Sequence, residues 1–423
     1  MKRRRNFVLL SVLGLLVGCG GGEGITAGGS GETPNTPPPP GQGYTVLHRF
    51  RNGEDGRHPY SGLVRDAAGS LYGTTYTGGT SDFGTVFKLD ASGKYDVLHT
   101  FTGGVNGPDA AFPIAGLIRD SAGNLYGTTS YGGTYGFGTI FRLDPTGHYK
   151  ALYHFAGGEN GPDGAYPGGM VRDADGNLYG TTRVGGTSGI GTIFKLDAAG
   201  KYQVLHSFTG DFSGPDGAYP SGSLIRDAGG NLYGTTLQGG MISRGTVFKL
   251  DAAGTESVLY SFAGKFFGPD DGESPYGLIR DAAGNLYGTT SSGGVSDRGT
   301  VFKLDATGKA TVLYSFTGGM DGSSPGAIFL DGTGNLYGTA AGGVSEWGVI
   351  FRLNIESGVF TVLHAFTGKS DGGAPNGTLI ADNARNLYGT TFGGGNLTAC
   401  PPSHDQDLPS TPGCGVVFKI KLP

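Results

Sequence analysis

Apolar and β-branched residues in this chain come in runs of five to seven, each closed by aspartate or glycine. In the unit from Tyr95 to Gly147 the runs are Tyr95-Asp96-Val97-Leu98-His99-Thr100-Phe101, Gly116-Leu117-Ile118-Arg119-Asp120, Asn124-Leu125-Tyr126-Gly127-Thr128-Thr129 and Gly138-Thr139-Ile140-Phe141-Arg142-Leu143. Tight turns, Ser121-Ala122-Gly123 and Asp144-Pro145-Thr146-Gly147, alternate with longer glycine-rich loops. Aromatic and β-branched segments bounded by such turn chemistry predict strands, and no stretch of the repeats carries a helical period. Each unit therefore supplies four antiparallel strands.

The unit recurs. Leu-Tyr-Gly-Thr starts at Leu71, Leu125, Leu178, Leu232, Leu286, Leu336 and Leu387, at steps of 54, 53, 54, 54, 50 and 51 residues. A period near 50 marks units that bury their apolar faces only by stacking on one another. Seven four-stranded units predict an all-β, seven-bladed β-propeller; a β-solenoid would use shorter coils of parallel strands. The chain opens on a lone Tyr44 to Phe50 strand of the Val-Leu-His type and ends on Val416 to Lys421. With the Leu-Ile-Arg strand innermost, the first strand completes the last blade, closes the ring and hides its edges.

Composition agrees with this picture. Of 423 residues 86 are glycine, mostly at fixed places in the repeat, so they mark turns and not disorder. The repeats run from 44 to 423 and leave no room for a second domain. Net charge is -5 and the 30 basic residues form no block beyond the start of the chain, so no nucleic-acid partner is expected. Nothing in the pattern asks for a second copy, and a monomer is expected.

Residues 1–19 differ. Lys2, Arg3, Arg4 and Arg5 precede an apolar stretch from Phe7 to Val17, too short to span a membrane comfortably, and Leu16-Val17-Gly18-Cys19 follows. This resembles a bacterial lipoprotein signal with its lipobox, and an ordinary secretory signal is the alternative. The resemblance implies cleavage before Cys19, lipidation of that residue and a lipid bilayer as partner. With Gly20 in place of an inner-membrane retention aspartate, the expected address is the outer membrane of a bacterial envelope, on its periplasmic or its outer surface. Residues 20–43, rich in glycine and proline, read as a flexible tether. In an oxidising compartment Cys400 and Cys414 are expected to form a disulfide closing one loop.

The Asp-x-x-Gly-Asn-Leu-Tyr-Gly pattern of the seven units, together with the lipoprotein-like leader, resembles the GloVer or choice-of-anchor tandem-repeat family. The resemblance implies an envelope-displayed protein and supplies no chemistry. The last unit departs most, with Ala381 in place of the usual arginine and an insertion from Gly393 to Gly413.

Comparing the units with one another separates scaffold from candidate site. Asp55, Asp109, Asp163, Asp216, Asp271, Asp321 and Asp371 each stand four residues ahead of a proline. Such a ring offers weak Ca²⁺ ligands, while its regularity points to loop-capping turns; no cofactor is expected. His48, His99, His206 and His364 alternate with tyrosines at one position, which asks for a flat amphipathic ring and not a base. Arg65, Arg119, Arg172, Arg226 and Arg280 precede aspartates on the innermost strand and are expected as buried pairs between blades. Thr80-Ser81-Asp82-Phe83-Gly84-Thr85 loosely resembles the Asp-box of sialidase propellers, out of register.

The loop after Leu-Tyr-Gly-Thr varies, and variable Tyr, Trp, Phe and Arg residues suit ligand contact. Its candidates are Tyr76, Tyr131, Arg183 and Phe392 early in the loop, and Phe83, Phe137, Arg244, Arg298 and Trp347 just before the next strand. The insertion, about 15 residues longer than its counterparts, adds His404 between the two cysteines. No nucleophile elbow, phosphate loop or clustered zinc spacing occurs. The reading is a lipid-anchored, non-catalytic binding module for a glycan or protein ligand. The alternatives are a propeller hydrolase or lyase acting on extracellular polysaccharide, and a purely structural envelope protein.

Overall fold

A computed structural model of the protein describes residues 43–103, 109–158, 161–210, 216–264, 270–400 and 411–422. Cys19, the tether and His404 lie outside them. The described residues form seven antiparallel blades of four strands arranged as a propeller. In the fourth blade the strands are Ala218–Arg226, Leu232–Gln238, Thr246–Leu250 and Glu256–Ser261, paired in that order. The first strand of each blade lines the axis: a Cβ on Gly222 would lie 2.8 Å from the backbone of Gly277 in the next blade, and one on Gly62 the same distance from Thr378. The last strand forms the rim. Ring closure follows the sequence expectation, with Tyr44–Arg49 pairing antiparallel to Val416–Lys421, Tyr44 opposite Ile420.

The repeated motifs are explained by packing. The glycine of Leu-Tyr-Gly-Thr sits under a phenylalanine from the third strand: a Cβ on Gly73 would meet the Phe87 ring at 2.7 Å, and one on Gly234 the Phe248 ring at 2.5 Å. Those rings are fully buried, so the missing side chain is the space they fill. In Asp-x-x-Gly-Asn-Leu-Tyr the aspartate closes the turn. Asp120 accepts the Asn124 backbone N–H at 2.8 Å, its side-chain amide at 2.9 Å and the Tyr126 hydroxyl at 3.1 Å. Burial opposes ionisation of these carboxylates, but the donors outweigh it; Asp382 is lowered to about 2 by Asn386 and Tyr388.

The arginines of the innermost strand do link blades, though not as buried ion pairs. Arg172 lies over the Tyr126 ring of the preceding blade at 5.4 Å, and Arg280 over Tyr233 at 5.7 Å. Arg65, Arg226 and Arg280 are solvent-exposed, so the expected burial is corrected for these three, while Arg119 and Arg172 are half-buried; each of the five lies over an aromatic face of the preceding blade. Between the third and fourth strands every blade carries a bulge, as at Val86/Phe87 opposite His99 and Val97. The bulge lets leucines such as Leu98 pack inward beside their neighbours.

Candidate functional site at the mouth of the ring

Two loop sets meet on one face of the ring: the loop entering each innermost strand and the loop joining the second strand to the third. Short bridges knit them together, Arg57 to Thr77, Ala111 to Tyr131 and Ser323 to Ala341. The residue before the loop proline has a positive φ in all seven units: 57° at His58, 58° at Phe112, 56° at Tyr166 and Tyr219, 53° at Ser274, 45° at Ser324 and 53° at Ala374. Bulky side chains rarely adopt this conformation, and it costs on the order of 1–2 kcal/mol at each position. Its structural return is a bond between blades. Phe112 N–H donates to the Phe83 carbonyl at 2.9 Å, Tyr219 to Ile190 at 2.8 Å, Ala374 to Trp347 at 2.7 Å and His58 to Cys414 at 2.9 Å. The following proline then packs on a glycine of the preceding blade.

The left-handed geometry gives these seven side chains equivalent places around the mouth, and there the symmetry ends. His58, Phe112, Tyr166 and Tyr219 occupy the first four blades, whereas the last three carry Ser274, Ser324 and Ala374. The aromatic side is continuous. His58 stacks on Phe392 with centroids 4.5 Å apart, Phe392 lies 6.0 Å from Tyr60, and Tyr60 6.2 Å from Tyr76. Tyr76 then reaches Phe112 at 5.2 Å, Phe112 reaches Tyr131 at 5.9 Å, and Tyr131 reaches Tyr166 at 5.1 Å. This arc crosses four blades, and edge or tilted contacts at such spacings hold rings in place.

Polar groups accompany the arc. Tyr60, whose hydroxyl burial pushes up, is bonded to the Asn376 side chain and feels the Arg183 charge, as Tyr131 does. Tyr276 is close enough to interact with Tyr60, and crowding pushes its hydroxyl up to about 12. Yet 38 % of Tyr276 is solvent-accessible, so this side chain stands among many neighbours inside an open mouth and is not sealed in a core. Burial drives the His58 ring down to about 4, aided by Arg57, so it is neutral at physiological pH.

The loop aspartates turn inward to their own loops. Asp109 accepts the Thr102 backbone N–H at 2.7 Å, its hydroxyl at 2.8 Å and the His99 ring at 3.3 Å; Asp163 takes Ala156 N–H and the Tyr153 hydroxyl. Burial works against the Asp109 and Asp371 charges, but the histidine and threonine donors prevail and hold both below the usual range. The His/Tyr position is thus the ring partner of this aspartate. It also stacks on the next blade, as His48 does on Tyr95 at 3.9 Å. Among the described residues no group of three or more His, Cys, Asp or Glu is placed to hold a metal.

The repeat itself decides the relationship. A model of the Gloeobacter/Verrucomicrobia repeat matches residues 33–224, 158–340 and 210–401 in overlapping passes. The chain belongs to the Gloeobacter/Verrucomicrobia repeat family. No curated protein matches the sequence. Among solved structures, an oligogalacturonate lyase in complex with manganese is similar at 14% identity and TM-score 0.53, covering 90% of this chain and 93% of that one. A gluconolactonase from Xanthomonas campestris aligns at 17% identity and TM-score 0.42 over 71% of this chain and 86% of that one. These likenesses concern the fold.

In this Gloeobacter/Verrucomicrobia repeat protein the variable loop divides into two parts. Tyr76, Tyr131 and Phe392 join the arc, with Arg183 beside it. Phe83, Phe137, Arg244, Arg298 and Trp347 act as wedges whose carbonyls receive the N–H groups of the left-handed residues. Phe83 covers Gly103, Phe137 covers Gly158, and Trp347 covers Gly368 and Gly373. Arg244 is paired with Glu273 at 2.6 Å and Arg298 lies over Gly318. Asp82 holds its loop through the Gly78 N–H and Arg57, at 2.8 Å each, which accounts for it without an Asp-box.

A disulfide joins Cys400 to Cys414 and fastens the insertion beside His58. A groove of about 700 Å³, lined by Leu47, Arg49, Arg51, Ser370 and Leu397 among others, opens at the rim of the last blade. It shares no residue with the aromatic arc, and the one ring in its lining, His48, is already stacked on Tyr95, so chemistry and not size favours the mouth. Sequence comparison missed His58, Tyr60, Phe112, Tyr166 and Tyr276, although their adjacency to the invariant proline of each unit was a readable signal.

Proposed function

We propose that the protein is a non-catalytic binding module, carried at the bacterial envelope by lipid on Cys19, whose aromatic arc receives a glycan. The observation that carries this reading is the continuous arc from Phe392 to Tyr166, with hydroxyl and amide groups beside it. Flat rings stack on the apolar faces of sugars, and interspersed hydroxyls satisfy the polar edges. The enzyme alternative finds less support. Glycosidic cleavage asks for carboxyl groups flanking the scissile bond, whereas the loop aspartates are engaged within their own loops. Glu256, whose carboxyl feels the Asp216 charge, stands at the start of the outermost strand of its blade, away from the arc.

The test is isothermal titration of the full chain against neutral and acidic oligosaccharides, with product analysis of the same mixtures. Binding without turnover, lost in Tyr76→Ala, is the expected result. Turnover retained in Tyr76→Ala would refute the binding-module reading. Export is checked separately by Cys19→Ser, which should move the protein from the membrane fraction to the soluble one.

A further inference from the structure

We propose that the mouth selects an anionic saccharide, with Arg183 as the residue that reads the anion. This rests on the glycan reading above and adds the substrate class.

Two cations of this face, Arg183 and Arg298, make no ion pair among the described residues, and of these Arg298 is exposed to solvent whereas Arg183 is half-buried. Arg57 is paired with Asp82 at 2.8 Å and Arg244 with Glu273 at 2.6 Å, so two neighbouring guanidinium groups are neutralised locally. Arg183, half-buried at the end of the second strand of the third blade, makes no ion pair or side-chain hydrogen bond among the described residues. Its field is felt by the hydroxyls of Tyr60 and Tyr131. A partly desolvated guanidinium without an acceptor is costly, and a ligand anion is the partner that relieves it.

The asymmetry of the mouth supplies the rest. The wall from Phe392 to Tyr166 is aromatic, whereas the facing blades place Ser274, Ser324 and Ala374 at the equivalent left-handed positions. One side thus offers ring faces and the other leaves space. The carboxylates Asp82 and Glu273 of this face are already paired with Arg57 and Arg244, so they leave Arg183 open to an entering anion. A sugar ring stacked on Tyr76 or Tyr131 would lie beside Arg183. Its planar fork matches a carboxylate or sulfate ester at two oxygens, which a lysine would not reproduce. Asn376 and the accessible Tyr276 hydroxyl remain for sugar hydroxyls.

The experiment uses matched ligands on one backbone: a cello-oligosaccharide, its C6-carboxylate form and its C6-sulfate ester, titrated into the full chain at low and at physiological salt. The expected result is at least tenfold tighter binding of an anionic form than of the neutral one, with a preference that shrinks as salt rises. Whether the carboxylate or the sulfate ester binds more tightly identifies the anion. Arg183→Gln should remove the preference without lowering the melting temperature, since it takes away an unrelieved charge, and Tyr76→Ala should weaken all three ligands alike. Equal affinity for the three ligands would overturn the role of Arg183 and leave the glycan module standing. Binding of none of them would overturn both.

Discussion

Glu256 offers the sharpest test of how the blades join. It lies opposite Leu250 in its blade, the register at which the other blades have Tyr44, Tyr95, Tyr149, Tyr202, Ala310 and Phe360. Where a tyrosine is present its ring stacks on the preceding blade's His/Tyr position, and in three blades its hydroxyl donates to an aspartate carbonyl, at 2.6 Å for Tyr44 and Tyr202 and 2.7 Å for Tyr95. Glu256 makes neither contact: its Oε1 is buried without a hydrogen-bond partner among the described residues, and the neighbouring His206 ring has only Asp216, at 3.4 Å. Burial, then the Asp216 charge, pushes the Glu256 carboxyl from 4.5 up to about 7, and burial lowers the His206 ring. The unfolded chain releases the Glu256 proton near pH 4.5, whereas the folded chain holds it to about 7. The folded state therefore binds more protons in that window, and stability falls as pH rises through it. The shift corresponds to a ceiling of about 3 kcal/mol, and about 2 kcal/mol after allowing for the solvent that still reaches the carboxyl. Glu256→Gln removes this titration and leaves others, such as that of His58, in both proteins. Melting curves from pH 4 to pH 9 should coincide at the acid end and diverge by roughly 2–3 °C in favour of the variant above pH 7. Parallel curves, or a wild type that gains on the variant with rising pH, would refute the reasoning.

Three further outcomes are expected from packing. Gly234→Ala should destabilise by about 2 kcal/mol or more, because its Cβ would lie 2.5 Å from the Phe248 ring; denaturant unfolding reads this, and an unchanged midpoint would contradict it. Trp347→Ala should cost about 3 kcal/mol, since the indole covers Gly368 and Gly373 and packs on a buried cluster; thermal unfolding checks it, and a neutral result would return Trp347 to the ligand candidates. Reduction of Cys400–Cys414 should lower stability by about 3 kcal/mol as the insertion is released, measured by melting with and without reductant.

The architecture was legible because every unit repeats the same turn chemistry and the chain begins and ends in complementary phase. The site was legible only in part, for a physical reason. Fixed offsets from Leu-Tyr-Gly-Thr point to Tyr76, Tyr131 and Arg183 but equally to Phe83, Phe137 and Trp347, wedges of the same residue types. What distinguishes the two groups is direction, set by backbone conformation. A left-handed residue before a proline runs against ordinary expectation for that position, so nothing in local propensity marks Phe112 or Tyr166 as facing the mouth. The bulge before each Val-Leu-His segment is likewise invisible to alternation, because one extra residue inverts the facing of every residue beyond it in the strand.

The same left-handed positions show how a regular scaffold can carry an irregular site. The bond they make between blades uses backbone N–H and carbonyl groups, so it survives any side chain able to tolerate the conformation. Phenylalanine, tyrosine, histidine, serine and alanine all occur there, and each keeps the same bond to the preceding blade. Tolerating a bulky ring where glycine would fit at less cost stabilises nothing that the serine and alanine blades lack. The strain at Phe112 and Tyr166 therefore needs a return outside the bond itself, and their ring contacts along the arc supply part of it. A ligand laid across those rings would supply the remainder, which is why the aromatic half of the ring, and not its regular aspartates, carries the functional argument.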